Sequence, residues 1–401
     1  GLRNPYFAVH EGTARDTTVV AGRTLVNFSS YNYIGLSGDP DVLAQVHAAV
    51  DRYGTSVSAS RVASGERPFH HELEALLARC QGVEDALLFT AGHATNVTTI
   101  GHLFGPEDLI LHDEYIHDSA LQGIKLSGAA RRGFRHDDPA HLDKQLTELR
   151  PHYRRCLVIV EGVYSMDGDL CDLPAYVRLK KKHGCLLMVD EAHSFGIVGA
   201  TGCGVAEHYG LPGREVDIWM GTLSKSLASC GGWIAGSATL IRYLRYTAPG
   251  FVYSAGLTPA NGMAALASLR KMLAEPWRVE KLQANARFFH APRPTASTPA
   301  PRAAAPPSSP SSRATRCTPS CSPPASSTRA STSSPSSTPP SPTTRPASAS
   351  SSPPPTPRPS SPTPPTASPP PSRRSARRCR SWSDHVARPP PRRPQIGRAH
   401  V

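Results

Sequence analysis

Through the first 290 residues, apolar positions fall into short blocks separated by longer stretches of helical spacing. The blocks Ala86–Phe89, Leu109–Leu111, Cys156–Glu161, Leu186–Val189, Ile218–Met220 and Gly232–Ala235 have strand length and little alternation. That pattern predicts strands buried on both faces. Between the blocks, the spacing predicts helices over Asn96–Leu103, Ala120–Leu126, Pro139–Leu149 and Leu173–His183. Two more precede them: Asp41–Tyr53, opened by Asp39 and Pro40, and His70–Cys80, where Leu73, Leu76 and Leu77 share a face. Helical spacing returns over Pro259–Leu273 and Arg278–Phe289. Strands alternating with helices predict an α/β protein with a mostly parallel sheet and helices on both faces. The polar N-terminal stretch reads as an arm leading to a strand at Thr24–Phe28.

The pattern changes abruptly at about His290. Residues 291–401 hold 30 of the 41 prolines and 16 arginines, with no lysine and a single acid, Asp384. They contain no Leu, Met, Phe or Tyr. Without large apolar side chains such a segment cannot offset its own ordering entropy, which predicts disorder. The tail carries +15 and the whole chain +13, leaving −2 on residues 1–290. The basic balance therefore does not mark the folded part as a nucleic-acid binder. A GC-rich gene read out of frame has this same composition, and Gln395–Val401 back-translates to a common sequencing adapter. A reading-frame artefact is expected here rather than a natural linker. A start at Gly1 rather than methionine is expected of a fragment or a processed product. No apolar run approaches the roughly 20 residues of a membrane span, and no signal peptide is recognisable. The nine cysteines are scattered and form no CxxC, which points to a reducing cytoplasm.

Candidate chemistry follows the predicted strands. Asp190, in Val189-Asp190-Glu191-Ala192-His193, closes an apolar strand, where open α/β sheets bind their ligands. It can hold a pyridinium nitrogen protonated, or simply cap a helix. His193 could donate to a neighbouring oxygen. Lys225, in Gly221-Thr222-Leu223-Ser224-Lys225-Ser226, lies between an apolar strand and Gly231-Gly232. Desolvation there would lower its pKa and make it a candidate Schiff-base former, whereas a lone lysine is ordinarily a surface charge. Thr222 could reach a phosphate. In Thr90-Ala91-Gly92-His93-Ala94-Thr95-Asn96, small residues at a helix start would offer backbone N–H groups to an anion. His117 could lie flat on an aromatic ring, and Ser165, in the turn Glu161-Gly162-Val163-Tyr164-Ser165-Met166-Asp167-Gly168-Asp169, could be a ligand. Elsewhere, Gly199–Gly204 lacks dinucleotide-loop spacing, His70-His71-Glu72 reads as a helix start, and Lys180–Lys182 as a solvated helix end.

The order of these motifs resembles the α-oxoamine synthases, pyridoxal 5'-phosphate (PLP) enzymes of the aspartate-aminotransferase fold (fold type I). Asn27-Phe28-Ser29-Ser30-Tyr31-Asn32-Tyr33-Ile34-Gly35-Leu36, Ser60-Arg61 to Gly65, and His71-Glu72-Leu73-Glu74 support the resemblance. With Ser224-Lys225-Ser226-Leu227-Ala228-Ser229, the wording is most similar to serine-palmitoyltransferase-like domains of polyketide assembly lines. The resemblance covers about residues 4–290. It implies an arm (1–45), a PLP-binding large domain (46–275), the start of a truncated small domain (276–290) and the tail (291–401). It also implies that Lys225 forms the Schiff base, His117 stacks on the ring, Asp190 pairs with the pyridine nitrogen, and His193 with Ser165 binds the ring hydroxyl. Thr222 and the backbone at Gly92 and His93 would hold the phosphate. The implied enzyme is a homodimer, with Tyr253–Leu257 reaching the partner's phosphate.

The implied reaction condenses a small amino acid with an acyl-CoA or acyl carrier protein, losing CO2. No membrane and no specific nucleic acid are expected as partners. Two alternatives remain open: a class I/II aminotransferase, or an impaired PLP-binding scaffold whose basic tail adheres to polyanions.

Overall fold

A computed structural model describes residues 6–291. The tail, with its predicted disorder and reading-frame origin, lies outside the described residues. Seven strands form the central sheet: β1 (Asp85–Phe89), β2 (Leu109–Asp113), β3 (Ala130–Phe134), β4 (Cys156–Glu161), β5 (Leu186–Asp190), β6 (Ile218–Thr222) and β7 (Gly232–Gly236). Their spatial order is β1-β7-β6-β5-β4-β2-β3. β7 is antiparallel to both of its neighbours, and every other pair is parallel. Because β7 reverses twice, β1 runs in the same direction as the parallel set. The carboxyl ends of β1, β2, β4, β5 and β6 therefore share one edge.

Successive strand residues feed two cores. Leu88, Leu111, Val158, Val160, Leu187, Val189 and Trp219 point to one, and Leu87, Ile110, Leu157, Ile159, Met188, Ile218 and Met220 to the other. This explains the missing alternation in the sequence. The first face is covered by helices Pro68–Gln81, Pro139–Leu149, Leu173–His183 and Pro259–Ala274. The second is covered by Gly92–Leu103, Asp118–Ser127 and Ala238–Thr247.

All six predicted strand blocks of the sheet are present. β3 was not anticipated, because Arg131, Arg132 and Gly133 break its apolar character at the solvent-facing sheet edge. Helix Ala238–Thr247 was also missed, though Ile241 and Leu244 bury one face of it. The arm forms a small antiparallel sheet, His10–Glu11, Thr17–Val20 and Arg23–Val26, so the strand predicted at Thr24–Phe28 ends two residues early. Helix Pro40–Tyr53 is capped by the Asp39 carboxylate, which accepts from the backbone N–H groups of Asp41 and Val42.

His70 does serve a helix start: its Nδ1 accepts from Arg67 N at 3.1 Å, while Nε2 lies 3.0 Å from the Leu257 carbonyl. The lysine run is not simply solvated. Lys180 pairs with Asp217 at 2.8 Å, and Lys182 with Asp143 at 2.7 Å.

Candidate active site

The shared edge of the sheet opens into a cavity of about 1220 Å3. Gly92, His93, His117, Ser165, Asp190, His193, Thr222 and Lys225 all line it. These eight residues are thus brought to one place, although they span more than 130 positions of chain; Tyr253–Leu257, also singled out from the sequence, do not line the cavity. Each lies at or just beyond the carboxyl end of a strand: Asp190 and Thr222 as last strand residues, Gly92 and His93 at a helix start, and the others in the loops that follow.

Asp190 closes β5. Its Oδ1 accepts from Ala192 N at 2.9 Å, a local turn bond, and its Oδ2 accepts from Asn96 Nδ2 at 2.9 Å. The same Asn96 amide donates to Ser119 Oγ at 2.9 Å, leaving Asn96 Oδ1 buried without a partner. Ser119 then holds His117. The Ser119 backbone N–H donates to His117 Nδ1 at 3.2 Å and Ser119 Oγ lies 2.7 Å from it. A nitrogen that accepts from a backbone amide carries no proton, so the His117 proton sits on Nε2. The His117 amide in turn donates to Glu161 Oε1 at 2.6 Å. Glu161 is the register partner of Asp190 on the neighbouring strand. Burial, followed by the adjacent Asp190, raises the Glu161 carboxyl well above its ordinary range.

Lys225 Nζ lies 2.6 Å from His193 Nε2, and Tyr33 Oη lies 3.1 Å from His193 Nδ1. Burial lowers the Lys225 pKa to about 8, against the pull of Asp190 and Glu161. His193 is pushed down to about 3, by burial first and then by Lys225 and His117. Tyr33 is pushed up to about 12 by burial and by Tyr31. With Lys225 charged, its ammonium donates to Nε2, and the His193 proton must sit on Nδ1, facing Tyr33. Tyr31 presents its ring 5.6 Å from Nζ.

The anion cradle is equally tight. A Cβ on Gly92 would come within 2.8 Å of Thr222 Oγ1. Thr222 Oγ1 donates to the Gly231 carbonyl at 3.0 Å and accepts from Ser224 N at 3.2 Å. Gly92 opens helix Gly92–Leu103, whose first-turn N–H groups have no partner within the helix. Backbone donors, hydroxyls, a carboxylate, an exposed imidazole face and a desolvated lysine suit an anionic aromatic aldehyde, and so fit PLP.

Among the polar residues of the site not anticipated are Asn96, Ser119, Glu161 and Tyr33. Asn96 and Ser119 look like ordinary helix residues, Glu161 like a strand end, and Tyr33 like part of an arm motif. Only their burial beside Asp190, His117 and His193 distinguishes them.

Residues 23–292 match the family model described as aminotransferase class I and II. A relative named 8-amino-7-oxononanoate synthase, from Trichormus variabilis, is 44% identical over 279 residues, covering 70% of this chain and 72% of the relative. The solved serine palmitoyltransferase of Sphingomonas wittichii superposes with a TM-score of 0.69 at 35% identity, covering 72% of each chain. That of S. paucimobilis, solved with a bound PLP–myriocin adduct, gives 0.69 at 34% identity over 72% of each chain. The chain therefore belongs to the class I and II aminotransferase family and, within it, to the α-oxoamine synthases, enzymes that depend on pyridoxal 5'-phosphate.

Proposed function

We propose that this protein condenses a small amino acid, glycine, alanine or serine, with an acyl thioester of CoA or of a carrier protein. The products are an α-amino ketone, CO2 and the free thiol, with one proton taken up. The observation that carries this reading is the 2.6 Å contact between Lys225 Nζ and a neutral His193, inside a cavity of about 1220 Å3. The names of the similar proteins point to the same reaction class.

Bound PLP supplies an aldehyde for the amino acid and an electron sink for the carbanion. The chain's own residues do the rest. Asp190, fixed by Asn96 and Ala192 N, would hold a proton on the pyridine nitrogen. His117, locked by Ser119 and Glu161, offers its ring face for stacking. The amides of Gly92 and His93, with Thr222, would hold the phosphate, and Ser165 with His193 the ring hydroxyl. Lys225 takes the α-proton of the amino acid and later returns one. An amine with a pKa of about 8 can carry a proton both ways near neutral pH.

We assign residues 46–275 to the large domain and 276–290 to the start of a small domain. We further read the enzyme as a cytoplasmic homodimer, with Tyr253–Leu257 facing the partner. Among the described residues no helix is long and apolar enough to cross a membrane.

The test supplies the purified full chain with PLP, each of the three amino acids, and an acyl-CoA or acyl carrier protein. Equal release of CO2 and free thiol is expected. Keto-acid formation without thiol release would assign an aminotransferase instead. PLP binding with no turnover of either kind would leave a cofactor-binding scaffold.

A further inference from the structure

His136 lies outside the cavity, in the loop after β3, yet both of its ring nitrogens face carboxylates. Nδ1 is 3.0 Å from Asp113 Oδ1, and Nε2 is 3.3 Å from Asp169 Oδ2. A neutral imidazole has one N–H and cannot donate to both; an imidazolium can. Asp113 ends β2 and is fully buried, with its oxygens also accepting from Tyr115 N and Asp137 N. Asp169 belongs to the turn after β4 and is half exposed. The ring is held between Tyr115, stacked at 4.4 Å, and Tyr164, edge-on at 4.5 Å.

This turn is the one that carries Ser165. It closes on itself through Tyr164 N to the Asp169 carbonyl at 3.0 Å and the bridge between Val163 and Leu170. Ser165 and Met166 project from it into the cavity lining. His136 ties this turn to the end of β2, with one ring nitrogen on the carboxylate of each.

We propose that His136 is a positioning residue: as an imidazolium it clasps the Ser165 turn to the end of β2 and so sets the geometry of that side of the cofactor cavity. The proposal rests on the reading of Ser165 as a cofactor ligand. The groups facing His136 are Asp113, Glu114 and Tyr115 from the end of β2, Asp137 and Tyr176 behind it, and Tyr164 and Asp169 from the turn. Glu114 accepts from the His136 amide at 3.0 Å, Tyr176 donates to Asp137 at 3.3 Å, and Arg135 is engaged by Asp138. The neighbourhood is acidic. Burial opposes the charge, but the bonds and charges of Asp113 and then Asp169 outweigh it and raise the His136 pKa above its ordinary value. A raised pKa means that the clasp is complete at low pH. It is lost as pH rises through the folded-state value, when Nε2 or Nδ1 gives up its proton.

The experiment compares the full chain with His136→Gln and Asp169→Asn. PLP dissociation constants are measured by fluorescence quenching from pH 5.5 to 9 and read as variant-to-wild-type ratios, which cancels the titration of Lys225. The expected ratio for His136→Gln is about 10 at the acid end, falling towards 1 at the alkaline end. Asp169→Asn removes an exposed carboxylate without threatening the fold, and should give the same trend with a smaller ratio.

A second readout needs no cofactor. Amide hydrogen exchange of residues 163–170, corrected for its intrinsic pH dependence, should accelerate as His136 deprotonates in the wild type. It should be uniformly fast in Asp169→Asn. A pH-independent ratio near 1 in both variants, or wild-type exchange that does not change with pH, overturns the clasp. Failure of PLP to bind any of the three proteins would instead overturn the cofactor-site reading, and the exchange data would still decide the clasp.

Discussion

Asn96 Nδ2 donates to Asp190 Oδ2 at 2.9 Å, tying the helix that follows β1 to the end of β5. Asn96 is buried, and its second N–H bond goes to Ser119, so one amide steadies both the Asp190 carboxylate and, through Ser119, the His117 imidazole. Asn96→Ala should weaken PLP binding by about tenfold, the effect of losing hydrogen bonds worth about 1–2 kcal/mol. Fluorescence titration with PLP measures it. An unchanged dissociation constant would show that Asp190 and His117 hold their positions without Asn96.

Gly92 and Thr222 leave no space between them. Gly92→Ala places a Cβ 2.8 Å from Thr222 Oγ1 and 3.1 Å from Thr222 Cβ. Thr222 is anchored at the end of β6 and bonded to Gly231, so it cannot yield cheaply. Overpacking of this kind costs about 1–3 kcal/mol. The variant should unfold at a lower temperature and bind PLP more weakly, whereas a thermal midpoint equal to wild type would mean that the cradle can open.

The depressed pKa of Lys225 has a definite sign in stability. The unfolded lysine keeps its proton up to about pH 10.4, while the folded one releases it at about 8. Between these values the unfolded chain binds more protons, so the stability of the cofactor-free protein receives a contribution that rises with pH. Below pH 8 the buried ammonium is a liability. Lys225→Ala should therefore raise the thermal midpoint at pH 7 and narrow its advantage towards pH 10. A midpoint lowered at pH 7 would show that Lys225 contributes more by packing than its desolvation costs.

Glu161 has the opposite charge type and a raised pKa, so its folded form holds a proton that the unfolded form has lost. Its contribution to stability falls as pH rises above the ordinary carboxylate range. Glu161→Gln keeps an oxygen to accept from the His117 amide and cannot ionise. The variant should keep activity within about threefold at pH 7, and its gain in thermal midpoint over wild type should grow from pH 5 to pH 8. A severe loss of activity would mean that the ionised carboxylate is required.

Much of the fold was legible because its signals are local. Val189-Asp190 is an apolar run ending in a carboxylate, and Gly221-Thr222 a strand leading into a loop of small residues; both read correctly from neighbours alone. β3 did not, because an edge strand facing solvent needs no apolar pattern, and Arg131 and Arg132 there look like loop residues. Helix Ala238–Thr247 buries only Ile241 and Leu244 on one face, a sparse apolar signal within a short segment that also holds Arg242, Tyr243, Arg245 and Tyr246.

By itself the sequence determined the layering of helices on a buried parallel sheet and the residues stationed after its strands. Those follow from hydrophobic periodicity and from the open carboxyl edge of such a sheet. Tertiary structure alone decided which side chains meet there. Asn96 on Asp190, Glu161 under His117 and Tyr33 on His193 join positions 94, 44 and 160 residues apart. Desolvation works the same way: the pKa of Lys225 is lowered by its burial among distant segments, against the pull of Asp190 and Glu161, and no stretch of neighbouring residues encodes that.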